Sequence, residues 1–466
     1  MEHKNIVRCL VVLLAATGCL HAQITITNKN FSFGTTGRIG FAYSPQIEGH
    51  TGRQLNLLGQ GSLGGRMDQG DYMDLLPAFH FTPVNTNKDS TVIDFQVRLA
   101  FYSGNSTFLG NVTSNNINGL VVSLPEAFVE ARNINGSDWS AWAGARYMRY
   151  DDIHIADYFY FDDHSAQGFG LQYKNTKLSM YFPAIIDTTS TSTTPYSYSN
   201  IITGNENLTY RQREVLVLEQ KLQIGTKNNV KLLAEYHNVP EISENSTVDY
   251  PSDWGWVAGA KLNTSLQTQK KGSFNQFAMR YGAGIANGGD NGNTQTWRTY
   301  GAPDSNGVYK GAFSFTIVEH LLLNLSDRWS INPYAVYIHS KGGSNSNHQA
   351  SSFYNTSIYN RKTDIALGSR FIYYASNTIH LLSELHFTQR KDGYNPNAQM
   401  VKFTLAPTIA PTAERSPWAR PHIRFIASVA WYNDFAKNNF YSPFLVQAGK
   451  KQLGTYFGVR SEWWIF

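Results

Sequence analysis

Cysteine is nearly absent: Cys9 and Cys19 are the only two in 466 residues, and both precede position 22. The rest of the chain therefore has no thiol for a disulfide framework or a thiolate metal site. A thiol-free chain also suits passage through an oxidising compartment, where stray cysteines mispair. Charge is scarce too, at 16% of residues, and the formal net charge of +5 includes no basic tract. No nucleic-acid partner is expected from such a surface. Long apolar runs are missing beyond the N-terminus, so the chain offers no membrane-spanning helix. His154 and Asp157 could begin a metal site, but no further ligands cluster near them in sequence. No metal and no cofactor are expected.

The one apolar run lies within Ile6 to Ala16, with Lys4 before it and Arg8 near its start, and small or neutral residues continue to Ala22. A basic start, a short apolar stretch and a small cleavage residue describe a secretory signal peptide. Cleavage after Ala22 is expected, which divides the chain into a leader over 1–22 and a single domain over 23–466. Thr17-Gly18-Cys19 leaves a lipoprotein leader as an alternative.

Aromatic residues are plentiful, at 14%, although mean hydropathy is slightly negative. They recur in runs of period two. Ile93, Phe95, Val97, Leu99 and Phe101 alternate with Asp94, Gln96, Arg98 and Ala100. Leu216, Leu218, Leu222 and Ile224 alternate with Val217, Glu219, Lys221 and Gln223. Similar runs cover 379–387 and 422–431. Each has the length of a tilted membrane strand, about ten residues, longer than most soluble strands. The chain also ends inside such a pattern, on Trp463, Trp464, Ile465 and Phe466. Soluble domains usually end in a polar, frayed tail. A closed barrel instead buries its last strand by pairing it with its first. Asn118-Gly119 and Asn135-Gly136 read as tight turns, whereas 187–207, 287–296 and 341–355 read as long polar loops. The fold class expected is all-β: a transmembrane antiparallel barrel of the outer membrane. At roughly 25 residues per strand with its connection, it has about 16 to 18 strands. A barrel of that size encloses an aqueous channel, so transport through the lumen is the default function.

Three stretches carry a family resemblance. Trp142-Ala-Gly-Ala-Arg146-Tyr-Met-Arg149-Tyr150-Asp151-Asp152-Ile-His154-Ile-Ala-Asp157-Tyr-Phe159-Tyr160-Phe161-Asp162 is similar to the segment entering the third, inward-folded loop of maltoporins. Trp418-Ala-Arg420-Pro421 resembles that family's Trp-Ser-Arg-Pro stretch, and Phe457-Gly-Val-Arg460-Ser-Glu462-Trp-Trp464 resembles its C-terminal strand. Weaker matches cover Arg66 to Leu75 and Asn275 to Tyr281, and all are collinear. The chain is identified as a divergent member of the maltoporin family. The resemblance implies an 18-stranded barrel, a homotrimer in outer-membrane lipid, and an inward third loop, around 150–170, that constricts the lumen. It also implies passive diffusion of sugars, maltodextrins above all.

The family's sugar path joins an aromatic slide to polar tracks. A sugar has apolar C–H faces and a rim of hydroxyls, so rings and ionic groups together suit it. The resemblance carries the slide onto Tyr72, Phe277, Trp418 and Trp464, with Phe108 as the ring contributed from a neighbouring subunit. It carries the tracks onto Arg38 and Arg66 on the first two strands, Asp74, and Asp152 and Asp157 of the inward loop. The sequence departs from the family pattern in three places. The loop's track arginine falls on Tyr150, with Arg149 one place earlier. The constricting tyrosine falls on Phe159. The first slide tyrosine falls on Thr36. These departures leave open a channel for another oligosaccharide, and a general or anion-selective diffusion porin. An enzyme is not expected: neighbouring carboxylates such as Asp151-Asp152 and Asp162-Asp163 point apart and cannot flank a glycosidic bond.

Overall fold

The computed structural model describes residues 26–28, 30–81, 91–103, 120–183, 198–199, 206–207, 212–241, 251–288, 299–347, 349–353 and 356–465. The expected leader, Phe108 and the Asn118-Gly119 turn lie outside them.

Eighteen antiparallel strands close into one barrel. In chain order they are β1 (Phe31–Tyr43), β2 (Tyr72–Phe81), β3 (Val92–Ser103), β4 (Leu120–Arg132), β5 (Trp139–Arg146) and β6 (Ala166–Tyr173). They continue as β7 (Thr176–Phe182), β8 (Glu214–Ile224), β9 (Asn228–Val239), β10 (Asp253–Leu266), β11 (Ser273–Gly284) and β12 (Phe313–Asn324). The last six are β13 (Trp329–Lys341), β14 (Arg361–Tyr374), β15 (Ile379–Asp392), β16 (Ala398–Ile409), β17 (His422–Tyr432) and β18 (Leu453–Ile465). Each strand pairs with its neighbour in sequence, and β18 returns to β1, with Thr35 opposite Ile465 and Tyr43 opposite Phe457. A short strand, Ile26–Asn28, pairs with the start of β1.

Closure leaves no sheet edge in lipid, where an unpaired backbone group costs several kcal/mol. The faces are sorted as lipid outside and water inside require. Along β17, Ile423, Phe425 and Val429 are exposed, whereas His422, Arg424 and Ser428 are buried. Along β15, Ile379, Leu381 and Leu385 are exposed and His380, Glu384 and His386 are buried. The four periodic runs of the sequence all coincide with barrel strands.

Connections sort by rim. Those after β1, β5, β7, β11, β13 and β17 are long, whereas 174–175, 225–227, 325–328 and 375–378 on the other rim are short. In outer-membrane barrels the short turns face the periplasm. The Asn135-Gly136 turn lies on the short rim, where Asn133 and Asn135 both adopt φ 53°. Asparagine tolerates that left-handed geometry better than other side chains do.

The first long connection, 44–71, packs against the interior face. Leu55, Leu57 and Leu63 are buried, and Lys402 of β16 donates to Asp68 (2.7 Å) and Asn56 (2.6 Å). Gly64 and Gly65 permit this approach with φ of 97° and 102°. A Cβ at Gly65 would come within 2.7 Å of the His386 ring. The connection 433–452 carries two short helices, α1 (Asp434–Asn438) and α2 (Pro443–Ala448), capped by Asn433 and Ser442.

Phe403, at the centre of β16, is exposed on the outer face. Phe403→Arg is expected to cost about 2–4 kcal/mol, the penalty for arginine at the bilayer midplane. Equilibrium urea unfolding from lipid vesicles measures it, and an unchanged midpoint would contradict the assignment of faces.

Candidate functional site

Segment 147–165, between β5 and β6, folds as a small hairpin. Asp152–Ile153 pairs with Tyr158–Phe159, a 3-10 turn covers His154–Ala156, and Asp157 reverses the chain at φ 47°. Its apolar side chains Ile153, Ile155, Tyr158 and Phe161 are buried in one cluster with Val217, Leu233, Val257 and Val336. Those four valines and leucines belong to the interior faces of β8, β9, β10 and β13. Ion pairs fix the segment from the same side. Asp151 accepts from Lys231 (2.9 Å) and Lys261 (2.5 Å), and Asp162 pairs with Lys231. Burial raises the Asp151 carboxyl, but the two ammoniums outweigh it and hold the group below the usual carboxylate range. The Tyr160 hydroxyl donates to Gln276 at 2.7 Å.

The hairpin tip meets a second cluster, organised by Glu462 of β18. Its carboxylate accepts from Arg66 (3.1 Å), Arg420 (3.0 Å) and Arg424 (3.2 Å), and His422 lies 3.6 Å away. His154 sits between two of these cations, 2.8 Å from Arg66 and 2.9 Å from Arg420. Burial, then Arg66 and Arg420, hold its imidazole well below the ordinary histidine range, so it is neutral. The same ring contacts Trp464 (4.8 Å between centroids) and Trp418 (5.5 Å), which lie 6.3 Å from each other. The Arg420 guanidinium covers the Trp464 ring at 4.3 Å.

Beside the hairpin opens a cavity of about 610 Å³. Tyr72, Tyr102, Tyr147 and Phe159 give it aromatic walls. Arg38, Arg98 and Arg149 give it cations, and Asp71, Asp74 and Asp157 give it anions. Rings and guanidinium groups interleave: Arg38 lies over Tyr72 (5.2 Å), Arg98 over Tyr147 (4.7 Å) and Arg149 over Phe159 (3.9 Å). Arg98 bridges Asp74 (3.0 Å) and Glu126 (3.1 Å).

Of the residues expected from the sequence, Arg38, Tyr72, Asp74, Arg149, Asp157 and Phe159 come together in this cavity. Trp418, Trp464 and Arg66 gather at the adjoining Glu462 cluster, and Asp152 lies 3.8 Å from His154. Arg149 is in the connection after β5, so strand alternation does not govern its direction; it pairs with Asp163 at 3.1 Å. Two expectations need correction. Phe277 is on the outer face of β11, 36% exposed, because the period-two pleat turns Gln276, Ala278 and Arg280 inward. Phe274, of opposite parity, packs on the interior His320 instead, at 5.2 Å. Arg66 is not on a strand: it lies within the connection 44–71, directly after Gly64 and Gly65. Sequence reasoning missed Arg98, Tyr102, Tyr147, Arg420 and His154 as site residues. Arg98 was detectable, because it occupies a lumen position of a periodic run.

A closed barrel with an apolar exterior, a charged interior and a lined cavity within has the architecture of an outer-membrane channel. The family model described as LamB porin matches residues 31–464, and the chain belongs to the LamB porin family. A maltoporin of Hahella chejuensis (strain KCTC 2396) is 24% identical over 474 residues, covering 100% of both chains. Among solved structures, the outer membrane channel DcaP of Acinetobacter baumannii is 11% identical with a TM-score of 0.40, over 94% of this chain and 98% of that one. Salmonella typhi OmpF in complex with daunomycin is 11% identical with a TM-score of 0.43, over 95% and 100%.

Glu462→Gln would leave three buried guanidinium groups short of their counter-charge. A loss of about 3 kcal/mol in unfolding free energy is expected, as for other broken buried pairs, read by urea titration. A second test uses pH. Burial, then the Asp157 carboxylate, push the Asp152 carboxyl up to about 7. Its folded value exceeds its unfolded one, so the stability it contributes is full at about pH 4 and below and is lost as pH rises through 7. Asp152→Asn should therefore gain thermal stability relative to the parent between pH 5 and pH 8. The parent channel should also become more cation-selective over that interval, by reversal potential, and the variant should not.

Proposed function

We propose that this porin passes oligosaccharides by facilitated passive diffusion, above all linear maltodextrin-like sugars. The observation that carries the reading is the interleaving of aromatic faces and ionic groups along one route. It begins in the 610 Å³ cavity at Tyr72 and Phe159 and continues to Trp464 and Trp418 beyond His154. Apolar sugar faces would stack on those rings. Hydroxyls would bond to Arg38, Arg66, Asp74, Arg149, Asp152 and Asp157. Segment 147–165 would act as the constriction, since its polar edge borders the cavity. Several weak contacts in series let a solute bind and also leave. Phe277, which faces outward, is not part of this route. The assembly is read as a homotrimer on the family resemblance, and chemical crosslinking in detergent that traps only monomer would count against it.

Single-channel recording in a planar bilayer tests the route. Maltohexaose should close the channel in a concentration-dependent manner. Trp418→Ala and Trp464→Ala should each weaken that block about tenfold, equivalent to ~1.4 kcal/mol of binding. A channel that no oligosaccharide closes is a general diffusion porin.

A further inference from the structure

A second cavity, of about 590 Å³, lies across Tyr150 from the first, since the Tyr150 side chain borders both. It is walled by the interior faces of β7 to β10 where they approach the short-turn rim, with Asn175 of the 174–175 turn at its edge. Three lysines stand in one row across adjacent strands: Lys221 of β8 is opposite Lys231 of β9, which is opposite Lys261 of β10. Like charges directly opposite each other destabilise a sheet, so the row needs anions. Asp151 and Asp162 supply them to Lys231 and Lys261. Nothing supplies one to Lys221, which is exposed to the cavity and has no ion pair among the described residues. Lys177 also lines the cavity and forms an ion pair with Glu219 at 3.7 Å. Around these ammoniums lie the amides of Asn229 and Asn263, one row nearer the rim and mutually bonded to each other at 2.8 Å. The exposed Tyr150 ring completes the wall, with the Lys177 ammonium 5.7 Å from its centroid.

We propose that this basin is a subsite for an acidic carbohydrate, one whose sugar units carry carboxylate groups. The lysines would take the carboxylates, the amides the hydroxyls, and Tyr150 a ring face. A neutral sugar would leave Lys221 unsatisfied, whereas an inorganic anion would leave the amides and the ring unused. The inference builds on the sugar-channel reading, and it places charge recognition on the periplasmic side of the constriction.

The test adds trigalacturonate or maltotriose to the short-turn side of the full-length channel in a planar bilayer. Trigalacturonate should block at least tenfold more strongly than maltotriose in 0.1 M salt. That advantage should shrink at 1 M, where the Debye length falls from about 10 Å to about 3 Å. Lys221→Gln should remove most of the advantage and leave block by maltotriose unchanged; its exposed, unpaired side chain makes misfolding no explanation. Equal block by the two sugars, or an advantage that survives both Lys221→Gln and Lys177→Gln, overturns the proposal. Loss of maltotriose block alone would sink the neutral-sugar route and leave the basin standing.

Discussion

Everything in this barrel depends on the seam where β18 meets β1. The bilayer offers the backbone no hydrogen-bond partner, so the first and last strands must find each other. The register of that pairing then fixes chemistry. It places Glu462 opposite Arg38 on one side and opposite His422 on the other. A slip of one residue would turn Glu462, Arg460 and Trp464 outward into lipid together. Closure and the building of the site are thus one event. Closure completes the cluster at that carboxylate, because Arg420 and Arg424 stand on the β17 side of Glu462 whereas Arg66 arrives on the connection that follows β1.

The interior is crowded with charge, and the connections neutralise it. Lys402 is answered by Asp68 of the first connection, and Lys231 and Lys261 by Asp151 of segment 147–165. At these three lysines the strands carry cations whose counter-charges arrive on loops. A loop held by several ion pairs and an apolar back surface is positioned as firmly as a strand. On the proposed function this matters for selectivity, because a hairpin displaced by a few ångströms would change the 610 Å³ cavity it lines. The apolar packing of Ile153, Ile155 and Phe161 supplies the attachment, which leaves the polar edge at Asp157 and Phe159 free to face solute.

The strands were legible because lipid and water impose a period of two that few other settings impose over ten residues. The runs at 93–101, 216–224, 379–387 and 422–431 all read with the correct face outward. What period two cannot supply is parity in a strand whose two faces are alike. β11 presents Phe274 and Phe277 three residues apart, and only packing on His320 shows which ring turns inward. Connections obey no period at all. The family resemblance carried Arg66 onto a strand, yet Gly64 and Gly65 with positive φ keep that stretch out of the sheet. Their density in 57–66 was the available sign. The helices of 433–452 left only cap residues as a trace, too weak a signal over five or six residues. Contacts between Arg420 and His154, 266 residues apart, have no sequence signature.

Tyr150 is a departure from the family pattern that stands between the two cavities. An arginine at that position would place a cation on the connection itself. Here the position is a ring, and the cations stand on the barrel wall: Lys177, Lys221 and Lys231. A ring between two polar cavities contributes a stacking face to each, and presents no charge for a passing solute to neutralise. The route is thereby divided. Arginine–aromatic layers lie on one side of Tyr150, and lysines with amides lie on the other. Guanidinium groups suit flat, bidentate contacts near rings, whereas ammoniums act as mobile, strongly hydrated point charges. On the proposed route, a solute crossing Tyr150 would exchange contacts that select for shape for contacts that select for charge.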